Sequence, residues 1–232
     1  MYGWRARIGL LLPVDNAVME PELYSLRLPG ISYHGVRLTT SERPKMPEDG
    51  IRLAPIFENL GVDIVVYACA ATSFLQGVDA NETIVRRLEE VCKVPAITAT
   101  GAMVSALEAL KVRKVAFGTP YAPFRGDALV EFLAHKGYES VKVIHQEMDL
   151  FTANLKPPEF AYQLGLQAVH PDCDAIMISG TNLRTLEMIE LLEADTGKTV
   201  ITSNQAILWA ISRRLGLSLR WEGCGELFSK AK

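Results

Sequence analysis

Val62-Asp63-Ile64-Val65-Val66-Tyr67-Ala68-Cys69-Ala70-Ala71-Thr72-Ser73 is a run of mostly β-branched residues that ends in a cysteine followed by small and hydroxylated side chains. Bounded by Gly61 and by the Ala/Thr/Ser segment, it reads as a strand buried on both faces, the kind found in parallel sheets. Its cysteine falls at the carboxyl end, where open α/β sheets place their ligands. The pattern returns as Asp174-Ala175-Ile176-Met177-Ile178-Ser179-Gly180-Thr181-Asn182. Setting Asp63 against Asp174 puts Cys69 opposite Gly180. One copy carries a thiol and the other does not.

Two further segments repeat in the same order around this pair. Ile8-Gly9-Leu10-Leu11-Leu12-Pro13 matches Val115-Ala116-Phe117-Gly118-Thr119-Pro120, and the strand ending at Thr98 matches the one ending at Thr202. The rest of the chain alternates strand and helix patterns, which predicts α/β architecture with parallel sheets covered by helices. Helices are expected over about 20–26, 51–60 (opened by Pro47), 81–91, 101–110, 125–135, from Pro158 on, 183–192 and 205–215. The repeat predicts two similar lobes, residues 1–99 with 205–232 and residues 100–204. A pseudo-two-fold axis would make Cys69 and Gly180 face each other across one cleft.

Composition narrows the function. The 232 residues are 49% hydrophobic and 22% charged with a net charge of −3, an ordinary globular balance. No basic cluster suggests nucleic acid, and the apolar run Ile8–Val14 is too short to span a membrane. The chain is therefore expected to be cytoplasmic, with neither nucleic acid nor membrane as a partner. Cys69, Cys92, Cys173 and Cys224 form no C-x-x-C pair and the four histidines show no ligand spacing, which argues against a disulfide framework and a metal site. Neither a dinucleotide fingerprint, a phosphate-binding loop nor a nucleophile elbow is present.

A reaction carried by side chains alone is left, and Cys69 is the first candidate. A thiol at a strand-to-helix junction meets free backbone N–H groups and a helix dipole, which favour the thiolate. Cys92, inside a helix, and Cys173, beside Asp172, read as packing or surface residues. Asn16, Tyr121, Asn154, Thr181 and Asn182 fall in loops after strands or just before helices. Their amides, phenol and hydroxyl, with nearby N–H groups, can hold a carboxylate without a strong positive charge.

These residues carry a resemblance. Pro13-Val14-Asp15-Asn16-Ala17-Val18-Met19-Glu20, the Cys69 segment, Gly118-Thr119-Pro120-Tyr121, Asn154 before Pro157-Pro158-Glu159, Gly180-Thr181-Asn182-Leu183-Arg184-Thr185 and Ser203-Asn204-Gln205-Ala206 together resemble the maleate isomerase and arylmalonate decarboxylase group of the aspartate/glutamate racemase superfamily. The resemblance implies two flavodoxin-like lobes, no metal or organic cofactor, and a small dicarboxylic acid bound between the lobes. It leaves homo-oligomer formation open. It also implies a thiolate nucleophile at Cys69, carboxylate ligands at Asn16, Tyr121 and Asn154, and further substrate contacts from Ala70, Ala71, Thr72, Gly180, Thr181 and Asn182. The isomerases carry a second cysteine at the position of Gly180. The decarboxylases carry their one cysteine there, with hydroxyls where this chain has Ala70 and Ala71.

Without a second thiol, two-thiol racemisation is disfavoured. Cys69 could add to a cis-alkene diacid and leave after bond rotation, or it could protonate the enediolate left by a decarboxylated malonate. A catalytically reduced diacid-binding protein is a third reading. The asparagine and tyrosine pattern and the alanines at 70 and 71 favour isomerisation. If a two-thiol ancestor is assumed, the cleft beside Gly180 should have room for a sulfhydryl.

Overall fold

The computed structural model describes residues 2–231. The first half runs β1 (Ala6–Leu12), α1 (Met19–Ser25), β2 (Ile31–Arg37), α2 (Met46–Leu53), β3 (Ile64–Tyr67), α3 (Ala70–Phe74), α4 (Ala80–Cys92), β4 (Ala96–Thr98) and α5 (Ala99–Ala109). The second runs β5 (Lys114–Thr119), α6 (Pro123–His135), β6 (Glu139–His145), α7 (Leu150–Asn154), α8 (Pro158–Ala168), β7 (Ala175–Ile178), α9 (Ile189–Thr196), β8 (Thr199–Thr202) and α10 (Ser203–Arg214), followed by α11 (Glu226–Lys230). They form two four-stranded sheets of identical order, β2-β1-β3-β4 and β6-β5-β7-β8, with every strand pair parallel.

The offset repeat is therefore structural, and individual side chains repeat with it. Asp63 accepts a hydrogen bond from the Arg7 N–H at the start of β1, and Asp174 accepts from Arg113 and Lys114 at the start of β5. Thr98 caps α5 by accepting from Gly101 N–H, as Thr202 caps α10 by accepting from Gln205 N–H. Each cap satisfies a backbone donor that a helix start leaves free. Glu89 and Glu193 accept from the N–H groups of Ala96 and Val200 in the matching strands. The capped helices α5 and α10 pack on each other, and each touches both β4 and β8. They form the layer that joins the two sheets into one core.

Strand periodicity decides what that core contains. Leu10, Leu12, Ile64 and Val66 face the large inner cluster. Leu11, Val65 and Tyr67, on the alternate face, pack under α2 and α4 with Phe57 and Leu88, as a period of two requires.

Two predicted helices take a different course. The apolar positions from Ile51 to Leu60 belong to α2 followed by a 3-10 segment, Ala54–Leu60. Pro55 brings no N–H for the Ile51 carbonyl, so the α hydrogen-bond ladder stops there and continues as a 3-10 segment. The helix expected over 183–192 begins as an irregular loop and a short 3-10 turn, Leu186–Met188, and becomes α-helical only at Ile189. The tail around Cys224, which carries no strong sequence signal, leads into α11.

Candidate active site

β3 stops at Tyr67, and Cys69 caps α3 with extended backbone, φ −122° and ψ 101°. Its side chain is 3% exposed and reaches a small cavity between the lobes. The first lobe contributes Pro13, Asp15, Asn16, Arg43, Cys69, Ala70 and Ala71 to the wall, and the second contributes Tyr121, Arg125, Thr181 and Asn182. The space left is about 20 Å³, room for about one water. A larger groove of about 580 Å³ lies among α4, α5, α6 and α10. It holds no cysteine and none of the residues expected to bind substrate, so the smaller cavity is the chemically equipped one.

Hydrogen bonds across the lobes hold this wall. Thr181 Oγ1 donates to the carbonyl of Ala68 at 3.0 Å and accepts from Asn16 Nδ2 at 3.0 Å. Asn16 Oδ1 meanwhile accepts from the N–H groups of Val18 and Met19 at the start of α1. Asn16 also lines the cavity, with a second amide hydrogen that no acceptor among the described residues takes. Asn204 Nδ2 donates to the Thr181 carbonyl and to Glu22. The Glu22 carboxylate also accepts from Thr185 and Leu186 N–H. Burial pushes the Glu22 carboxyl above the ordinary carboxylate range, with the three donors acting against that rise. These bonds fasten the loop after β7 to α1 and α10, and so place Thr181 and Asn182 opposite Cys69.

Two groups on the second lobe are suited to receive an anion. Burial pushes the Tyr121 phenol up to about 12, so it remains a neutral hydrogen-bond donor across the working pH range. Asn182 is buried and its Nδ2 has no protein partner, a donor that costs free energy until something accepts from it.

The structure thus brings Cys69, Asn16, Ala70, Ala71, Tyr121, Thr181 and Asn182 to one wall, but not three other residues expected there. Thr72 turns away, its hydroxyl 2.7 Å from that of Tyr67. Asn154 closes α7 rather than lying in a loop; its amide donates to the Asp15 carbonyl at 2.6 Å and its Oδ1 accepts from Ala17 N–H. It shapes the loop beneath the cavity instead of lining it. Gly180 points its missing side chain at Pro120 and Leu183, while its N–H donates to Ser203 Oγ.

Sequence reasoning missed Arg43 and Arg125, which add positive charge to a wall whose amides and phenol alone were expected to suffice for a carboxylate. Arg43 Nη1 lies 3.7 Å from Cys69 Sγ and 3.6 Å from Met46 Sδ. Arg125 sits in the first turn of α6 with its guanidinium 5.1 Å from the Phe124 ring centroid. The available signal was topological. Both follow the carboxyl ends of strands, β2 and β5, where loops converge on ligands in such sheets.

A family model described as arylmalonate decarboxylase matches residues 9–228. The chain is 25% identical over 248 residues to a maleate isomerase of Pseudomonas putida, covering 97% of this chain and 98% of that relative. It is 27% identical over 231 residues to the arylmalonate decarboxylase of Bordetella bronchiseptica, covering 95% and 92%. The crystal structure of a maleate isomerase from Pseudomonas putida S16 with maleate superposes with a TM-score of 0.91 at 28% identity, over 97% of this chain and 98% of that one.

Proposed function

The chain belongs to the arylmalonate decarboxylase family, and from that premise we propose that it is a cofactor-independent, cysteine-dependent isomerase converting a small cis-alkene dicarboxylic acid to its trans isomer. The Cys69 thiolate adds to one alkene carbon, and the displaced electron pair moves onto the carboxylate of the other. The former double bond is now single and rotates. The pair then returns, the C–S bond breaks and the trans diacid leaves. Charge built up on the carboxylate is met by the Tyr121 phenol, the Asn182 amide and the Arg125 guanidinium on the second-lobe wall.

The observation that carries this reading is a single thiol in a donor-rich inter-lobe cavity, with Gly180 at the matching position. Addition, rotation and elimination move no proton, so a second acid or base is not required. Similarity to maleate isomerases along nearly the whole chain supports the same reaction. The four free cysteines support a cytoplasmic setting, and no helix among the described residues is long and apolar enough to cross a membrane.

A malonate decarboxylase with Cys69 as proton donor is the second reading, favoured by the family description and the one thiol. Against it, Ala70 and Ala71 offer no hydroxyl to an enediolate and Thr72 is bonded to Tyr67. Proton NMR in deuterated buffer distinguishes the two. Isomerisation turns the olefinic signal of maleate into that of fumarate without deuterium entering the carbon skeleton. Phenylmalonate giving deuterated phenylacetate, with maleate untouched, would replace isomerisation by decarboxylation.

A further inference from the structure

The site carries two positive charges that no protein carboxylate neutralises. Among the described residues, neither Arg43 nor Arg125, the two arginines on the cavity wall, forms an ion pair, although six of the other arginines do. The one carboxylate on the cavity wall, Asp15, is half-buried and bonds neither of them. A partly buried guanidinium resting between two sulfurs leaves most of its donors unused, and five N–H donors in a planar fork suit a carboxylate better than any sulfur. Asn182 adds a buried amide with no partner.

Position sets what each arginine meets. Arg43 Nη1 is 3.7 Å from Cys69 Sγ, and a carbon bonded to that sulfur lies well inside this distance. A carboxylate on the attacked carbon therefore comes within reach of the Arg43 fork. Arg125 comes from the other lobe, on the wall that also holds Tyr121 and Asn182. Resting on the isomerase reading of this site, we infer that Arg43 is the specificity-determining residue that makes the enzyme demand a second carboxylate. It grips the carboxylate beside the carbon that sulfur attacks, while Arg125, Tyr121 and Asn182 take the carboxylate that receives the electron pair. The preferred substrate class is the compact dianion, and a half-amide of the same shape is a poor one.

The test reads binding without requiring turnover. Cys69 is labelled with iodoacetamide, a neutral reagent, in the presence of succinate or of its monoamide, succinamate. The concentration giving half-maximal protection is recorded, so any change in the intrinsic labelling rate cancels. In the wild type, succinate is expected to protect at concentrations roughly 10- to 100-fold lower than succinamate, the worth of a charge-assisted pair. Arg43→Gln should bring the two acids to within a few-fold of each other, and Arg43→Lys should retain part of the gap. Thermal midpoints of both variants establish that they fold, and the lysine variant keeps the comparison meaningful if the glutamine variant does not. Equal protection by the two acids in the wild type, no protection by either, or an undiminished gap in Arg43→Gln would each overturn the inference. A gap that behaves as expected in an enzyme that leaves maleate unchanged would remove the isomerase reading and leave the role of Arg43 standing.

Discussion

Cys69 and Cys92 are buried thiols of the same lobe with different surroundings. Cys92 closes α4, points at the Ala54 carbonyl at 3.6 Å, and is pushed up by burial, with Glu58 adding to the rise. Such a thiol is inert. Cys69 instead opens onto a cavity with a guanidinium beside it. Their contrast was only partly legible in the sequence, where strand-end position favoured Cys69 but the arginine lay far away in the chain. Gly180 is the sharper correction. Its φ is +152°, and a Cβ there would stand 3.3 Å from two Pro120 ring atoms and 3.5 Å from Leu183 Cδ1. The room expected for a second sulfhydryl is thus tight: the Pro120 ring would have to give by a few tenths of an ångström, and the positive φ strains any side chain placed there. Gly180→Cys is expected to cost roughly 1–3 kcal/mol, seen as a thermal midpoint lower by several degrees, with no new α-proton exchange by NMR. An unchanged midpoint together with exchange of a 2-arylpropionate would show that the position accepts a working thiol.

Elements were legible where local periodicity governs them and illegible where a distant side chain does. The strands follow from short apolar runs, β3, β4, β7 and β8 from runs that end in small or hydroxylated residues, and most helices follow from their apolar faces. The start of the expected 183–192 helix reads as helical, yet its Thr185 and Leu186 N–H groups are taken by Glu22, 163 and 164 positions away. No sequence pattern announces a buried glutamate in α1, because three donors from two remote segments are what make its burial tolerable. Its pH behaviour follows from the same burial. With its folded value raised above the unfolded one, the folded state binds the proton more tightly. The Glu22 contribution is therefore fully present below the ordinary carboxylate value and is lost as pH rises through the raised folded value. Glu22→Gln cannot titrate. The stability gap between wild type and this variant, measured by urea denaturation, should narrow as pH rises from about 4 to about 8. A gap that widens over that range would reverse the assignment.

At the scale of the molecule, the duplicated strand order explains why one cleft collects the chemistry. Identical sheets joined through α5 and α10 turn the carboxyl ends of β3 and β7 toward each other, and the loops after β1, β2 and β5 close the space. That architecture could be read from the alternation and the offset repeat, with Asp63/Asp174 and Thr98/Thr202 as its register marks. The charge of the cleft could not, because Arg43 lies in a polar turn, Thr39-Thr40-Ser41-Glu42-Arg43-Pro44-Lys45, whose composition resembles any solvated connection. The central claim is that Cys69 becomes covalently bound to the diacid during turnover. It is tested most directly by mixing the enzyme with maleate, quenching in acid after a few turnovers and mapping the peptides by mass spectrometry. Acid supplies a proton to the carbanionic adduct and fixes it as a succinyl thioether. The account predicts that group on the Cys69 peptide and on no other cysteine, and both adduct and fumarate absent in Cys69→Ser. Fumarate formed while the Cys69 peptide stays unmodified at every time, or formed at the wild-type rate by Cys69→Ser, would contradict it.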